Sequence, residues 1–318
     1  MRVLVAGGTR FIGRTLVKFL LAEGHDVTLF HRGQSGRDLF PEAGRIFGDR
    51  ADPPEPLGKT DWDWVFDLSG YTPIEVETLL RRLGGRAGRY IFCSTGSVYA
   101  GRNEGVIAED GERWPYTREN IQERPGPAYG AKKAEAERSL MRLAPALGIE
   151  AVIVRPVLVY GPHDPTDRVL YWLHRVAHGL VYVPATHDGI THTVYVKDLA
   201  RLFVAAAKVP GAAGQAYNAA ATSPPTLRNL IAAVAERVGI EPEIRTIPVA
   251  RLRGAGLALP VCTGGSDWFV DTAKIQKTFG HISTPLDESV ADTLAYYRRG
   301  DRQINEAVSL DQLAALAG

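Results

Sequence analysis

Short apolar runs alternate with stretches of helix-forming composition through the first half of the chain. Arg2 to Ala6 reads as a strand, and Arg14 to Glu23 reads as a helix that follows it after a glycine turn. The same alternation predicts strands at Asp26 to Phe30, Arg45 to Phe47, Trp64 to Leu68, Tyr90 to Cys93 and Ala151 to Arg155, with helices between them. Strands separated by helices imply a parallel sheet covered on both faces, an α/β fold. Pro73 just inside one helix and Gly84-Gly85 just past Leu83 follow the usual asymmetry of proline at entry and glycine at exit. A helix that carries Tyr129 runs to about Leu147, and Pro145 should end or kink its last turn. The proline-rich stretch from Ala51 to Lys59 is a loop. After Gly161 the alternation breaks down. Asp167 to His178 reads as a helix, Val194 to Lys208 returns to the sheet, and the remainder from Ser223 mixes helices with short extended segments.

Composition narrows the class of protein. With 318 residues, 45% of them hydrophobic, the chain can bury one large core or two smaller ones. The 37 basic and 36 acidic residues leave a net charge of +1, which sets up no global field toward nucleic acid or an anionic membrane. The only cysteines are Cys93 and Cys262, so a disulfide framework is not expected and a reducing compartment is. The amino terminus is already a strand and no apolar run approaches the roughly 20 residues of a membrane span, so a cytoplasmic protein is expected. His163, His187 and His192 lack the carboxylate spacing of a zinc site, and no metal is read.

The turn after the first strand is Gly7-Gly8-Thr9-Arg10-Phe11-Ile12-Gly13. Between a strand and a helix, such a loop lets a pyrophosphate approach bare backbone at the helix N-terminus, where N–H groups and the helix dipole favour negative charge. Far downstream, Tyr129 and Lys133 are four residues apart, on one face of a helix. There an ammonium can lie beside the phenol and favour its deprotonated form, which makes a tyrosine usable in proton transfer near neutral pH.

With these two motifs, the chain resembles the short-chain dehydrogenase/reductase superfamily in its extended or atypical epimerase/dehydratase branch. Ser94-Thr95-Gly96-Ser97-Val98-Tyr99, Arg155-Pro156-Val157-Leu158-Val159-Tyr160-Gly161-Pro162 and Val196-Lys197-Asp198-Leu199-Ala200 add to the likeness in the expected order. The closer resemblance is to atypical members with Gly-Gly-Thr-Arg-Phe-Ile-Gly loops, which include the plastid stem-loop RNA-binding proteins. The resemblance implies a Rossmann-type doubly wound sheet, residues 1–160 and 191–222, with a smaller α+β substrate domain from 161–190 and 223–318. It implies hydride transfer at a secondary alcohol or ketone of a sugar-like molecule, possibly nucleotide-linked. Tyr129 passes the proton, Lys133 lowers its pKa and binds the nicotinamide ribose, and a hydroxyl on the fifth strand holds the reacting oxygen. Thr95 is chosen for that hydroxyl, with Ser97 or Ser94 as alternatives. The cofactor-binding set is Gly7, Thr9, Arg10, Phe11, Ile12, Gly13, Arg32, Asp49 and Leu68 together with Tyr129 and Lys133. A homodimer through the Tyr129 helix and its neighbour is also implied.

Cofactor and substrate preference rest on departures from the family pattern. The second strand ends Phe30-His31-Arg32, with no carboxylate for a ribose 2′-OH, so Arg32 and Arg10 could clamp a 2′-phosphate and NADP is preferred over NAD. Asp49 matches a position near the adenine, or caps a turn. Leu158 and Thr191 stand where nucleotide-sugar enzymes carry an asparagine and an arginine for the substrate diphosphate, and neither brings a charge. Arg168, Trp172 and Arg175 share one predicted helix. That face either covers a carboxylate, phosphate or sugar ring or packs with its charges solvated. Gly96 and Ser97 stand where dehydratases place an acidic pair, so dehydration is the least expected outcome, while epimerisation and reduction both stay open. A catalytically silent NADP-binding regulator and an RNA-binding protein of the same fold are the alternatives, and the neutral charge counts against RNA.

Overall fold

A computed structural model describes residues 1–101, 104–119, 125–186, 188–260, 267–298 and 309–317. Cys262 and His187 lie outside these residues, so the readings on them are not taken further. Cys93 is a free, buried thiol.

The centre is a seven-stranded, wholly parallel sheet. Its strands are β1 (Arg2–Ala6), β2 (Asp26–His31), β3 (Gly44–Phe47), β4 (Trp62–Asp67), β5 (Ala87–Cys93), β7 (Glu150–Pro156) and β11 (Gln215–Ala219), and β6 (Glu104–Ile107) lies outside it. Their spatial order, β3-β2-β1-β4-β5-β7-β11, winds outward in both directions from β1 and β4, as in a Rossmann-type α/β fold. Side chains alternate across the sheet: Val3 and Val5 enter the core on one face, Leu4 and Ala6 the core on the other. Helices α1 (Phe11–Ala22) and α5 (Val196–Lys208) cover the first face, and α2 (Pro73–Leu83) and α3 (Pro125–Ala146) the second. Helix α2 starts on a capping box between Thr72 and Glu75 with Pro73 in the first turn, and ends at Gly84 in the left-handed conformation, φ 57°. Helix α3 continues one residue past Pro145. No helix among the described residues is long and apolar enough to cross a membrane.

The remaining strands form separate pairs outside this sheet. Strands β8 (Leu158–Tyr160) and β10 (Thr193–Tyr195) form one parallel pair, and β9 (Leu180–Pro184) and β12 (Glu243–Ile247) form another. Strand β6 pairs with β13 (Asp267–Val270). Helices α4 (Arg168–Ala177), α6 (Leu227–Val238) and α9 (Leu286–Tyr297) pack on one another. Short 3-10 turns lie at Glu55–Gly58, Gly96–Val98 and Pro210–Ala212, and helices α7 (Val249–Gly254), α8 (Ala273–Phe279) and α10 (Leu310–Ala317) follow. Their apolar side chains run into the same core as α1, with Trp172, Leu227 and Val290 continuous with Leu16 and Val3.

Two expectations change. The stretch from Val194 does not rejoin the central sheet. It gives the short β10, paired with β8, and then α5, whose Val196, Leu199, Ala200, Phe203 and Ala207 are buried at helical spacing. The seventh strand of the sheet is instead β11, an edge strand whose Gln215, Ala216, Asn218 and Ala219 carry little strand-forming signal.

Candidate active site

A cleft of about 960 Å³ opens at the carboxyl ends of β1, β4, β5 and β7. It spans the point where strand order reverses, the place where open α/β sheets bind ligands.

Its nucleotide end is the turn from Gly7 to Gly13. Gly7 adopts φ +93°, which disfavours any side chain, and a Cβ at Gly13 would sit 2.2 Å from the Gly7 carbonyl oxygen. The first turn of α1 is therefore pressed against the end of β1. Arg10 precedes the helix in an extended conformation and makes no side-chain cap, and the first turn holds no acidic residue. Phe11 enters the helix at φ +33°. An uncapped, acid-free N-terminus beneath a turn that only glycine allows fits a dinucleotide pyrophosphate. Phe11, Ile12 and Leu68 line the adjoining cleft, and the hydroxyls of Thr9 and Ser35 lie 3.3 Å apart beside it.

At the end of β2 the His31 Nδ1 accepts the Gly33 N–H at 3.1 Å, and burial together with the Arg45 charge holds this imidazole below its ordinary value. His31 is thus a neutral ring whose Nε2 carries the proton. Arg10 and Arg32 are exposed. Asp49 accepts the Ala51 N–H at 2.8 Å, a local turn of its own.

Strand β5 ends in Cys93 and leads into Ser94 and Thr95, while α3 brings Tyr129 and Lys133 across from it. Thr95 Oγ1 accepts the Ser97 N–H at 3.1 Å, and Thr95 lines the cleft beside Tyr129, where its hydroxyl favours the ionised phenol. Ser94 instead donates to Glu137 Oε1 at 2.5 Å, so of the three candidate hydroxyls it is that of Thr95 that bears on the Tyr129 phenol. Lys133 is buried, and its Nζ donates to the carbonyls of Gly70 at 2.7 Å and Cys93 at 2.5 Å, with the Phe92 ring 3.9 Å away. Burial lowers Lys133 to about 8, against the opposing pull of Cys93, Asp67 and Glu137. The Tyr129 phenol is pushed up rather than down. Burial dominates, Cys93 and Tyr71 add to it, and the Thr95 hydrogen bond works in the opposite sense. Lys133 adds no lowering here, because it titrates at about 8 and is already neutral where a phenol raised above its ordinary value would ionise.

Beyond Tyr129 the cleft is lined by Trp114, Pro156, Val157, Leu158 and Val159, with Ser97, Thr166 and His192 as polar groups. Arg168 reaches this wall, but its Nη1 donates to Asp164 Oδ1 and to the Val159 carbonyl, both at 3.1 Å. Trp172 and Arg175 are turned into the core. Trp172 is fully buried with its indole N–H on the Pro260 carbonyl at 3.1 Å, and Arg175 lies 5.1 Å from the centre of the Tyr171 ring. They do not join Arg168 as a face toward the cleft, because α4 presents that side to α6 and α9. Thr191 is likewise buried, its hydroxyl donated to Pro225 O at 2.7 Å. Tyr71 and Trp114, isolated aromatics with no spacing signal in the sequence, also line the cleft, as does His192, whose sequence context pointed only away from a zinc site.

Comparison with known proteins agrees with this geometry. The chain is 31% identical over 263 residues to a chloroplast stem-loop binding protein of Arabidopsis thaliana, a match that covers 76% of this chain and 65% of that protein. It is 27% identical over 258 residues to the 2-alkyl-3-oxoalkanoate reductase of Stenotrophomonas maltophilia, covering 75% of this chain and 76% of the relative. The chain thus spans less than two thirds of the stem-loop binding protein. Among solved structures, UDP-glucose 4-epimerase of Thermotoga maritima with UDP-glucose superposes with a TM-score of 0.73 at 23% identity, covering 94% of this chain and 99% of that one, which establishes the shared fold. The model of the NAD dependent epimerase/dehydratase family matches residues 3–66 and 72–220, and the chain belongs to that family.

Proposed function

We propose that this chain is an NADP-preferring oxidoreductase that transfers a hydride to or from a secondary alcohol or ketone of a sugar-sized substrate lacking a diphosphate. The observation that carries the reading is the single cleft that brings Thr95, Tyr129 and Lys133 together with Phe11 and Ile12 of the Gly7–Gly13 turn. A bound nicotinamide would supply or accept the hydride. In the reducing direction the substrate oxygen accepts hydrogen bonds from Tyr129 and Thr95, and the Tyr129 proton moves to that oxygen as negative charge develops on it. A phenol held above its ordinary value keeps this proton at neutral pH, which suits delivery to a ketone. Lys133, one turn along α3, stabilises the phenolate left behind and offers its remaining N–H to the cofactor ribose.

Three features support a substrate without a diphosphate: Leu158 on the wall, Arg168 held by Asp164, and Thr191 buried on Pro225. The name of the 2-alkyl-3-oxoalkanoate reductase supports ketone reduction as the reaction class. The test is NADPH oxidation with a panel of keto sugars and 3-oxo acids, run on the native protein and on Tyr129→Phe. Turnover should fall by about 10²–10⁴ in the variant while NADPH affinity is kept. Nucleotide binding without turnover would favour a cofactor-binding regulator, and no nucleotide binding would overturn the enzyme reading. A second reading, binding of stem-loop RNA, is favoured by the likeness to the chloroplast protein. It predicts a salt-sensitive RNA complex.

A further inference from the structure

One of the two carbonyls that receive Lys133 belongs to a loop built on a buried carboxylate. Asp67 ends β4 fully buried, and no step above uses it. Its oxygens collect five donors. Arg50 reaches Oδ1 through Nη1 at 2.7 Å and Oδ2 through Nη2 at 2.8 Å, and the Tyr90 hydroxyl donates to Oδ2 at 2.5 Å. The N–H groups of Ser69 and Gly70 reach Oδ1 at 3.1 and 3.0 Å. Arg50 also donates to Ser69 Oγ at 3.0 Å and to the Glu75 carbonyl at 3.2 Å, tying the start of α2 to the same loop. A Cβ at Gly70 would meet Asp67 Oδ2 at 2.7 Å and Arg50 Nη2 at 3.1 Å, so the ion pair fills the space against this residue. The residue whose N–H is fixed on Asp67 is therefore the one whose carbonyl receives Lys133.

We propose that Asp67, held by Arg50 and Tyr90, is a positioning residue for Lys133. It shapes the loop from Leu68 to Gly70 that carries the receiving carbonyl, and its charge keeps the buried ammonium protonated. The consequence for activity rests on the role given to Lys133 above, whereas the consequence for Lys133 itself does not. Besides Asp67 from β4, the groups facing Lys133 are Cys93 from β5, Tyr71 from the loop before α2, Arg50 from the loop after β3, and Glu137 and Tyr129 from α3. Cys93 is neutral there, its thiol pushed up to about 11 by burial. After burial itself, which lowers Lys133, Asp67 pulls its titration upward and Arg50 pushes it downward. Removing the anion and removing the cation should thus move the same lysine in opposite directions, a result that loss of packing alone does not produce.

The test is an NMR titration of full-length protein carrying lysine isotope-labelled at Cε, with Lys133 assigned by its loss in Lys133→Met. In the native protein Lys133 should titrate at about 8. Asp67→Asn should lower the midpoint by about one unit or more, and Arg50→Gln should raise it. The alkaline limb of kcat/KM should follow in each variant. An unchanged midpoint in folded Asp67→Asn, or shifts of the same sign in both variants, overturns the proposal. Should Asp67→Asn not fold, Arg50→Gln decides alone: an upward shift supports the proposal, and none or a downward one overturns it. The titration is read without substrate, so a protein with no turnover would fail the hydride-transfer reading while leaving this result to stand or fall separately.

Discussion

Glu137 and Arg155 form a two-pronged ion pair, Nε to Oε1 at 2.8 Å and Nη2 to Oε2 at 2.7 Å, with both side chains all but excluded from water. Glu137 lies two turns beyond Tyr129 on α3 and also accepts Ser94, the neighbour of Thr95. Arg155 continues the network to the Tyr99 hydroxyl at 2.8 Å, which donates to Asn218 Oδ1 at 2.6 Å. The pair therefore links α3, β5, β7 and β11 behind the site. Glu137→Gln strands the buried Arg155 charge and should lower unfolding stability by about 3–5 kcal/mol, whereas Arg155→Met should cost less because Arg113 still reaches Glu137 Oε2 at 3.1 Å. The double variant Glu137→Leu/Arg155→Met should lose clearly less than the sum, as measured by denaturant unfolding. Additive losses would show that the two charges are not coupled.

The tight turn under the cleft gives a sharper structural test. A Cβ at Gly13 meets backbone at 2.2 Å, and backbone cannot swing aside as a side chain can. Gly13→Ala should cost about 1–3 kcal/mol or more and should weaken nucleotide binding, because α1 must lift from Gly7. Gly101, with nothing within 4 Å of its added Cβ, is the control, and Gly101→Ala should leave nucleotide affinity unchanged. Calorimetric titration with NADPH compares the two, and equal affinities would mean that the turn does not hold the nucleotide.

Local patterns were readable and distant pairings were not. Strands β1, β2, β3 and β5, and the proline-to-glycine span of α2, are written in neighbouring residues, and each is found where composition places it to within a few positions. Strand β4 begins at Trp62, earlier than its apolar run suggests, where the Trp62 indole N–H reaches the Leu57 carbonyl at 3.1 Å. Helical spacing put Arg168, Trp172 and Arg175 together but could not say that two of them face inward, since that depends on Pro260 far along the chain. Asp67 stood at the end of an apolar run and Arg50 beside Asp49, yet their pairing closes only when β3 and β4 take their places in the sheet. The four-residue spacing of Tyr129 and Lys133 placed them on one helix, while the direction of the Tyr129 shift followed from burial, which spacing does not encode.

Lys133 also ties stability to pH. In the folded chain it titrates at about 8, below its ordinary 10.5. Below about 8 both folded and unfolded chains carry its proton, and burying that charge is a constant cost. Between about 8 and 10.5 the folded chain has released the proton while the unfolded chain still binds it, so stability from this group rises with pH through that window. Against Lys133→Met, which has nothing to titrate there, the native protein should gain roughly 3 kcal/mol across it. Turnover should run the other way and fall as pH climbs through about 8, as the ammonium is lost. Denaturant unfolding of both proteins across the window measures the first effect, and a stability difference that stays flat would mean that Lys133 is not held in the strained charge state its burial implies.

The proposed preference for NADP rests on the end of β2. His31 has Nδ1 committed to the Gly33 N–H and Nε2 buried, so it presents no acceptor where a carboxylate would present two, and Arg32 follows it into solvent. An exposed cation suits the 2′-phosphate of NADP, and the lack of an acceptor leaves the paired ribose hydroxyls of NAD nothing to donate to. Arg32→Asp reverses the charge at that position. Hydrogen bonds to charged groups are worth about 1.5–3 kcal/mol, so the ratio of NADPH to NADH affinity should drop by about 10–100-fold, through weaker NADPH binding and some gain for NADH. The drop in NADPH affinity should shrink in high salt, since Arg32 is exposed and its attraction is screened. Fluorescence titration with both nucleotides at two ionic strengths reads each quantity, and a ratio unmoved by Arg32→Asp would take cofactor selection away from β2 and return it to the remainder of the Gly7–Gly13 turn.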